Sequence, residues 1–411
     1  MKKIVILGAG TGGTAIANKL RKALSPSEWE ITVIDRDDNH VYQPGLLFVP
    51  FGLCTVNSLI RSRKQYISHG INFVIDPVKR VNHERNMVET DGGSFDYDWL
   101  IIGTGCRLAP EENEGLMDEW GKNAFSFYTT ETAALLSNAM ANFNGGKLLM
   151  CVAELPVKCP VAPIEFVFLA DWYFRQKGIR NKVELHLSTP FPQCMPNWPR
   201  GRVIMMDAAR NKGISMSTGF ALQEVNKNGK FVQSFGGEKI DYDLLVIIPT
   251  NAGDQVIVES GLDDGSTFIP TDKHTLKALN HKNIYVIGDA TNIPTSKAGS
   301  VAHYEAEVIT HNLLAEIKGR EPEPKYDGHS TCFIVSEKGK AYLVDFNYDT
   351  EPLYGKYPLP FAGPFSLLKE TGMNWLGKLG FEWLYWNLLL PGKNMLLPPT
   401  LVMAGKKEQP E

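Results

Sequence analysis

A short apolar run at residues 4–7 leads into Gly8-Ala-Gly-Thr-Gly-Gly13. A helix-forming stretch at 14–24 follows, and then a second apolar run at 30–34 that ends on Asp35. Each part has a mechanical task. Four consecutive apolar residues suit a strand buried on both faces. Gly8 permits a tight turn, Gly10 lets the backbone approach a phosphate, Gly12 lies in the same loop, and Gly13 lets helix and strand pack closely. The helix N-terminus then faces the phosphates, and Asp35 can accept from a ribose hydroxyl. A glycine loop alone is weak. Strand, helix, second strand and terminal acid in register predict a dinucleotide-binding unit within an α/β chain.

Three further strand-and-turn segments follow. Residues 95–102 run into Gly103-Thr104-Gly105, residues 240–249 repeat the pattern without a glycine, and residues 283–287 end in Gly288-Asp289. A Gly-Asp pair at the carboxyl end of a parallel strand lies where such sheets bind ligands, so Asp289 can hold a cofactor polyol. Residues 71–75 and 87–88 read as short strands flanking Asp76-Pro-Val78, and residues 40–48 form an aromatic loop carrying Pro44.

A second strand–loop–helix begins at about Lys147. A nicotinamide-binding unit would carry glycines there, yet residues 153–165 hold Glu154, Pro156, Cys159 and Glu165, with no glycine before Gly178. A nicotinamide phosphate is poorly accommodated by such a loop. A single cysteine is ordinarily a small apolar filler. A nucleophilic Cys159 needs a cation or a helix terminus nearby, and Lys158 and a helix starting near Pro163 are the candidates.

Composition excludes several classes. With 411 residues there is chain enough for two cores. The net charge of −4 leaves no electrostatic footprint for nucleic acid. Cysteines at 54, 106, 151, 159, 194 and 332 have neither disulfide-scaffold nor zinc spacing, and no metal site is expected. The apolar run after Met1-Lys-Lys is too short for a secretory signal, and no stretch of about 20 uncharged apolar residues predicts a membrane-spanning helix.

Residues 326–411 read as an appendage. A hairpin is expected from 331–336 and 341–346, with Cys332 at its start. From 364 to 390 the chain is aromatic and amphipathic, punctuated by Lys369 and Lys378. Such segments lie in a bilayer interface, or pack as a helix pair on the core or on a partner subunit.

Gly8–Gly13 with Asp35, the Gly103–Gly105 turn and Gly288-Asp289 resemble the FAD-containing two-dinucleotide-domain flavoproteins. Cys159, Glu165, Lys297 with His303, Cys332 and the aromatic tail narrow the resemblance, over essentially the whole chain, to sulfide:quinone oxidoreductases, with flavocytochrome c sulfide dehydrogenases close behind. The resemblance implies FAD as cofactor, with Cys159 and Cys332 as a redox pair and Glu165 assisting proton movement. It also implies Lys297 near the flavin ring and quinone, Val78 meeting the adenine through its backbone, and Pro44 close to the isoalloxazine. The family's third cysteine has no counterpart in residues 122–144, so a two-cysteine variant is the match.

The expected architecture is two Rossmann-like domains with an amphipathic, membrane-associating C-terminal region. The FAD domain would comprise 1–110 and 240–325, the second domain, with a degenerate nicotinamide site, 111–239, and the appendage 326–411. The expected partners are sulfide, a membrane quinone, the membrane surface and further copies of the chain, on the cytoplasmic face. A type II NADH:quinone oxidoreductase and a flavocytochrome subunit are the alternatives. Removing residues 364–411 is expected to abolish membrane association and quinone reduction while leaving sulfide able to reduce the flavin.

Overall fold

In the computed structural model, which describes residues 1–193, 198–323, 325–394 and 397–409, two five-stranded parallel sheets carry the site. The first has the order 284–286, 99–102, 2–7, 29–35, 72–75. Its central strands are fully buried: Ile4, Ile6, Leu7 and residues 100–102 are all at 0% exposure, which is why each reads as an unbroken apolar run. Helices Thr11–Ala23 and Gly299–Ile317 pack together on one face. Strand order reverses between 2–7 and 99–102, and a crevice opens at the carboxyl ends there. The glycine loop crosses it. A Cβ on Gly13 would stand 1.8 Å from the Gly8 carbonyl oxygen, so that close turn admits no side chain.

The second sheet has the order 124–125, 244–248, 146–152, 183–189, 214–218. Here one expectation is corrected. The strand Leu244–Ile248, assigned from sequence to the first domain by a boundary at 240, pairs in parallel with Gly146–Val152. Its five buried residues show that both faces are covered, but such a run carries no record of which sheet covers them. The chain crosses between the sheets through Cys106–Leu108 and returns through Asn251–Gly253, two short strands paired antiparallel. That pairing puts the return crossing later than residue 240.

The hairpin Ser330–Glu337 and Lys340–Phe346 packs on helix Ala162–Gln176. Helix Gly372–Leu384 then lies across the hairpin. Gly377 sets how near it comes, because a Cβ there would stand 2.5 Å from the Phe333 ring. The chain continues as a π-helical turn, Tyr385–Leu389, that docks beside the glycine loop. Among the described residues, no helix is long and apolar enough to cross a membrane.

Candidate active site

A cleft of about 490 Å³ runs from the glycine loop to Cys159, walled on one side by the carboxyl ends of the first sheet and on the other by residues 127–128, the 158–159 loop and helix Ala162–Gln176. At one end lie Gly8, Gly10, Gly12 and Asp35, with Pro44, Pro77 and Val78 along its side. Asp35 accepts from the Ala9 backbone N–H at 2.6 Å and is ion-paired with Arg63. The middle is walled by Gly103, Thr104, Gly105, Gly288 and Asp289. The far end holds Tyr128, Lys158, Cys159, Glu165, Lys297 and Lys378.

The cleft suits a dinucleotide. A Cβ on Gly10 would meet nothing within 4 Å, so the loop's backbone faces open space. The Thr104 hydroxyl is buried in the wall with no hydrogen-bond partner among the described residues. Helix Thr11–Ala23 begins at Gly10 with no side-chain cap, leaving its first N–H groups for a ligand.

The thiol end is held firmly. Cys159 has φ 49, left-handed backbone that a non-glycine residue adopts at a cost. Three contacts hold it there. Its N–H donates to the Lys297 carbonyl at 3.0 Å, and its own carbonyl accepts from the Ala162 N–H at 2.9 Å and the Tyr128 hydroxyl at 3.1 Å. Cys332 reaches the same region from the hairpin. The buried Glu165 carboxylate, 1% exposed, lies beside both thiols. It accepts from the Val335 N–H at 2.8 Å and from the Lys378 ammonium at 3.0 Å. Lys378 also donates to the Phe333 carbonyl at 3.3 Å. Burial pushes the Cys159 thiol up, Glu165 and Cys332 push it further, and Lys378 pulls it back. Burial pushes Cys332 to about 11, against the pull of the Ser330 hydroxyl and Lys378. Although burial opposes it, Glu165 holds the Lys378 ammonium above its ordinary range.

Residues 2–141 match the family model of the pyridine nucleotide-disulphide oxidoreductases. The whole chain is similar to the mitochondrial sulfide:quinone oxidoreductase of Dictyostelium discoideum, 30% identical, with 97% of this chain and 88% of the relative covered. The chain belongs to the sulfide:quinone oxidoreductase family. The Mus musculus mitochondrial enzyme of the same name is 27% identical over 95% of this chain and 86% of its own. The solved sulfide:quinone oxidoreductase of Aquifex aeolicus superposes with a TM-score of 0.80 at 19% identity, covering 96% of this chain and 92% of that one, which shows the shared fold. This family member is an oxidoreductase and its cofactor is FAD.

Of the sequence-nominated residues of this sulfide:quinone oxidoreductase family member, the structure brings the glycine-loop residues, Asp35, Pro44, Val78, Thr104, Gly105, Cys159, Glu165, Gly288, Asp289 and Lys297 to one cleft, while Cys332 lies in the hairpin behind it and acts on Cys159 electrostatically. Lys297 is 8% exposed and donates to the Asp289 and Thr291 carbonyls at 2.9 and 2.6 Å, with its ammonium 4.2 Å from the Phe268 ring centre. Other placements differ from expectation. The cation beside both thiols is Lys378, whereas Lys158 sits 5.5 Å over the Tyr128 ring. His303 is buried away from the cleft, with neither ring nitrogen hydrogen-bonded among the described residues and Nε2 4.0 Å from a Glu307 carboxylate oxygen, and burial pushes it down to about 4. Cys106 does line the cleft, 3.7 Å from an Asp289 carboxylate oxygen, while Cys54 donates to the Gly45 carbonyl. Burial first and then Asp289 push Cys106 up to about 12. Cys194 lies outside the described residues.

Sequence reasoning missed Lys378, Tyr385, Tyr128 and Arg63. Two of them lie in residues 364–411, the segment expected to be separable from sulfide chemistry. That segment supplies the cation beside the thiols, and its Tyr385 hydroxyl bonds Thr11 in the glycine loop at 2.7 Å.

Proposed function

We propose that this protein oxidises sulfide to zero-valent sulfur or polysulfide through Cys159 and Cys332, with FAD passing two electrons to a membrane quinone. The observation that carries this is the buried Glu165–Lys378 pair, which acts on both thiols, with Cys159 in the loop that stands where a glycine-rich phosphate loop would be. Hydrosulfide attacks the oxidised Cys159–Cys332 pair, forming one S–S bond and breaking another. One cysteine leaves as thiolate, and the Lys378 ammonium stabilises that negative charge. The sulfur taken up loses one proton and two electrons in total. Glu165 is the carboxylate placed to take the proton. FAD, when bound, accepts the electron pair and passes it on.

The absence of glycine between Gly146 and Gly178 argues against hydride delivery from a nicotinamide at this position. Anaerobic mixing tests the reading. Sulfide is expected to bleach the flavin and a short-chain quinone to restore its colour, with no bleaching by NADH. Bleaching by NADH and not by sulfide overturns it.

The outer face of helix Gly372–Leu384 supports a place at the membrane surface. Met373, Leu376, Leu379 and Trp383 are 46 to 61% exposed, and Leu359 and Phe361 project nearby in the chain at 62 and 75%. A helix with this face buries it in the headgroup–acyl boundary, which is where a lipid-soluble quinone must be met. Changing Leu376 and Trp383 together to glutamate is expected to abolish liposome co-sedimentation and lower quinone reduction at least about tenfold, because each charge resists transfer into an apolar phase. Sulfide bleaching should survive, since neither side chain touches the thiol site. Unchanged liposome binding would remove the interfacial reading.

A further inference from the structure

The Tyr385 hydroxyl stands between two polar groups, the His40 Nε2 at 2.6 Å and the Thr11 hydroxyl at 2.7 Å. Thr11 and Tyr385 both line the cleft, Thr11 between Gly10 and Gly12. The other His40 nitrogen, Nδ1, lies 3.2 Å from the Ala9 carbonyl, which also accepts from the Thr14 hydroxyl at 3.0 Å. A carbonyl can only accept, so His40 Nδ1 carries a proton. In a neutral ring Nε2 is then bare and accepts from Tyr385, whose oxygen in turn accepts from Thr11. The chain runs in one direction, from Thr11 through Tyr385 and His40 to Ala9, and it commits the Thr11 proton away from the cleft.

A diphosphate over Gly10 calls for the opposite direction, because an anion needs a donor. Thr11 can donate outward with both short contacts kept as hydrogen bonds only if Tyr385 donates to Thr11 and His40 Nε2 donates to Tyr385. That reversal needs one more proton than the first state, taken from solvent and held on the imidazole. We infer that the Thr11–Tyr385–His40 chain is a proton-linked clamp on the cofactor's diphosphate, so that FAD binding draws a proton onto His40. Tyr385 and His40 are thus positioning residues acting through Thr11.

The surroundings agree with the direction. His40 is 2% exposed and faces the Arg63 guanidinium, the Tyr66 and Tyr385 rings and the Trp386 ring. Arg63 is itself paired with Asp35 and lies 3.4 Å from Asp37. Burial first and then Arg63 push the His40 imidazole down to about 4, so it is neutral near pH 7 until an anion arrives. The anion raises it. Binding is therefore expected to tighten as pH falls through the raised value and to level off below the original one.

The test is FAD rebinding to full-length protein stripped of flavin, by calorimetry in two buffers of different ionisation enthalpy. The wild type is expected to take up a substantial fraction of one proton, and its affinity to rise by up to about tenfold per pH unit between about pH 8 and pH 5. Tyr385→Phe keeps the ring against Tyr42 and Trp386 and breaks the chain, so that the His40 share of the uptake should vanish. Glu305, pushed up to about 7 by burial and bonded to the Gly288 N–H, contributes equally to both proteins, so the difference is the measure. Equal proton uptake in wild type and Tyr385→Phe overturns the inference. If that variant does not retain its fold, Thr11→Val breaks the chain from the other end and decides in the same way. The readout is flavin binding, so a protein that never reacts with sulfide can still pass or fail it.

Discussion

Serine in place of Cys159, or in place of Cys332, is expected to slow sulfide-driven FAD reduction by on the order of a thousandfold or more, the scale seen when a nucleophile is removed. The hydroxyl matches the thiol closely in size but cannot close an S–S bond or accept sulfur. The remaining cysteines make the contrast. Cys54 donates to a carbonyl outside the cleft and Cys151 is buried in a central strand. Cys106 lies in the cleft wall, where its thiol stands 3.7 Å from an Asp289 carboxylate oxygen and not beside Cys159 or Cys332. Serine at these three positions should cost some stability and leave bleaching near the wild-type rate, and the same is expected of Cys194. Stopped-flow absorbance across the six variants is the measurement. Fast bleaching in Cys159→Ser or Cys332→Ser refutes the two-thiol mechanism. Selective loss in Cys106→Ser would move the chemistry beside Asp289.

Lys378→Met should be nearly as damaging, for two separable reasons. It leaves the Glu165 carboxylate buried without its cation, which costs about 3–5 kcal/mol when one partner of a buried pair is removed. It also withdraws the charge that pulls both thiols down, so the rate–pH profile of sulfide-driven bleaching should move to higher pH. Adding Glu165→Gln tests both. The double variant should regain most of the thermal stability, because no buried charge remains unpaired, and the alkaline displacement should shrink, because the carboxylate that pushes both thiols up is gone as well. A single variant with wild-type stability and an unmoved pH profile would show that the pair does neither task.

The first βαβ unit was readable because everything that defines it is local: glycines, helix and Asp35 lie within 28 residues. The hairpin and the start of the helix after Cys159 were readable for the same reason. Lys378 was not. It lies 213 residues from Glu165, in a stretch where lysine reads as surface punctuation of an amphipathic helix. Only packing reveals that this lysine points inward, past Gly377 and the Phe333 ring. Strand Leu244–Ile248 was misassigned because apolar periodicity reports coverage and not partners. Tyr385 looked like one more aromatic of the tail, and its hydroxyl acquires a meaning only when the chain returns to residue 11.

Helix Gly372–Leu384 carries Lys378 on its inner side and Leu376, Leu379 and Trp383 on its outer side. Its azimuth is therefore fixed twice over, and it behaves like a key cut on two edges. One residue inserted between 378 and 383 would turn the segment after it by about 100°. Either Trp383 would swing away from the lipid side or Lys378 would be dragged off Glu165, with no amino acid replaced. Relatives that lengthen or shorten this part of the chain would thus be confined to changes near whole turns, steps of about 3 or 4 residues, whatever side chains they place there.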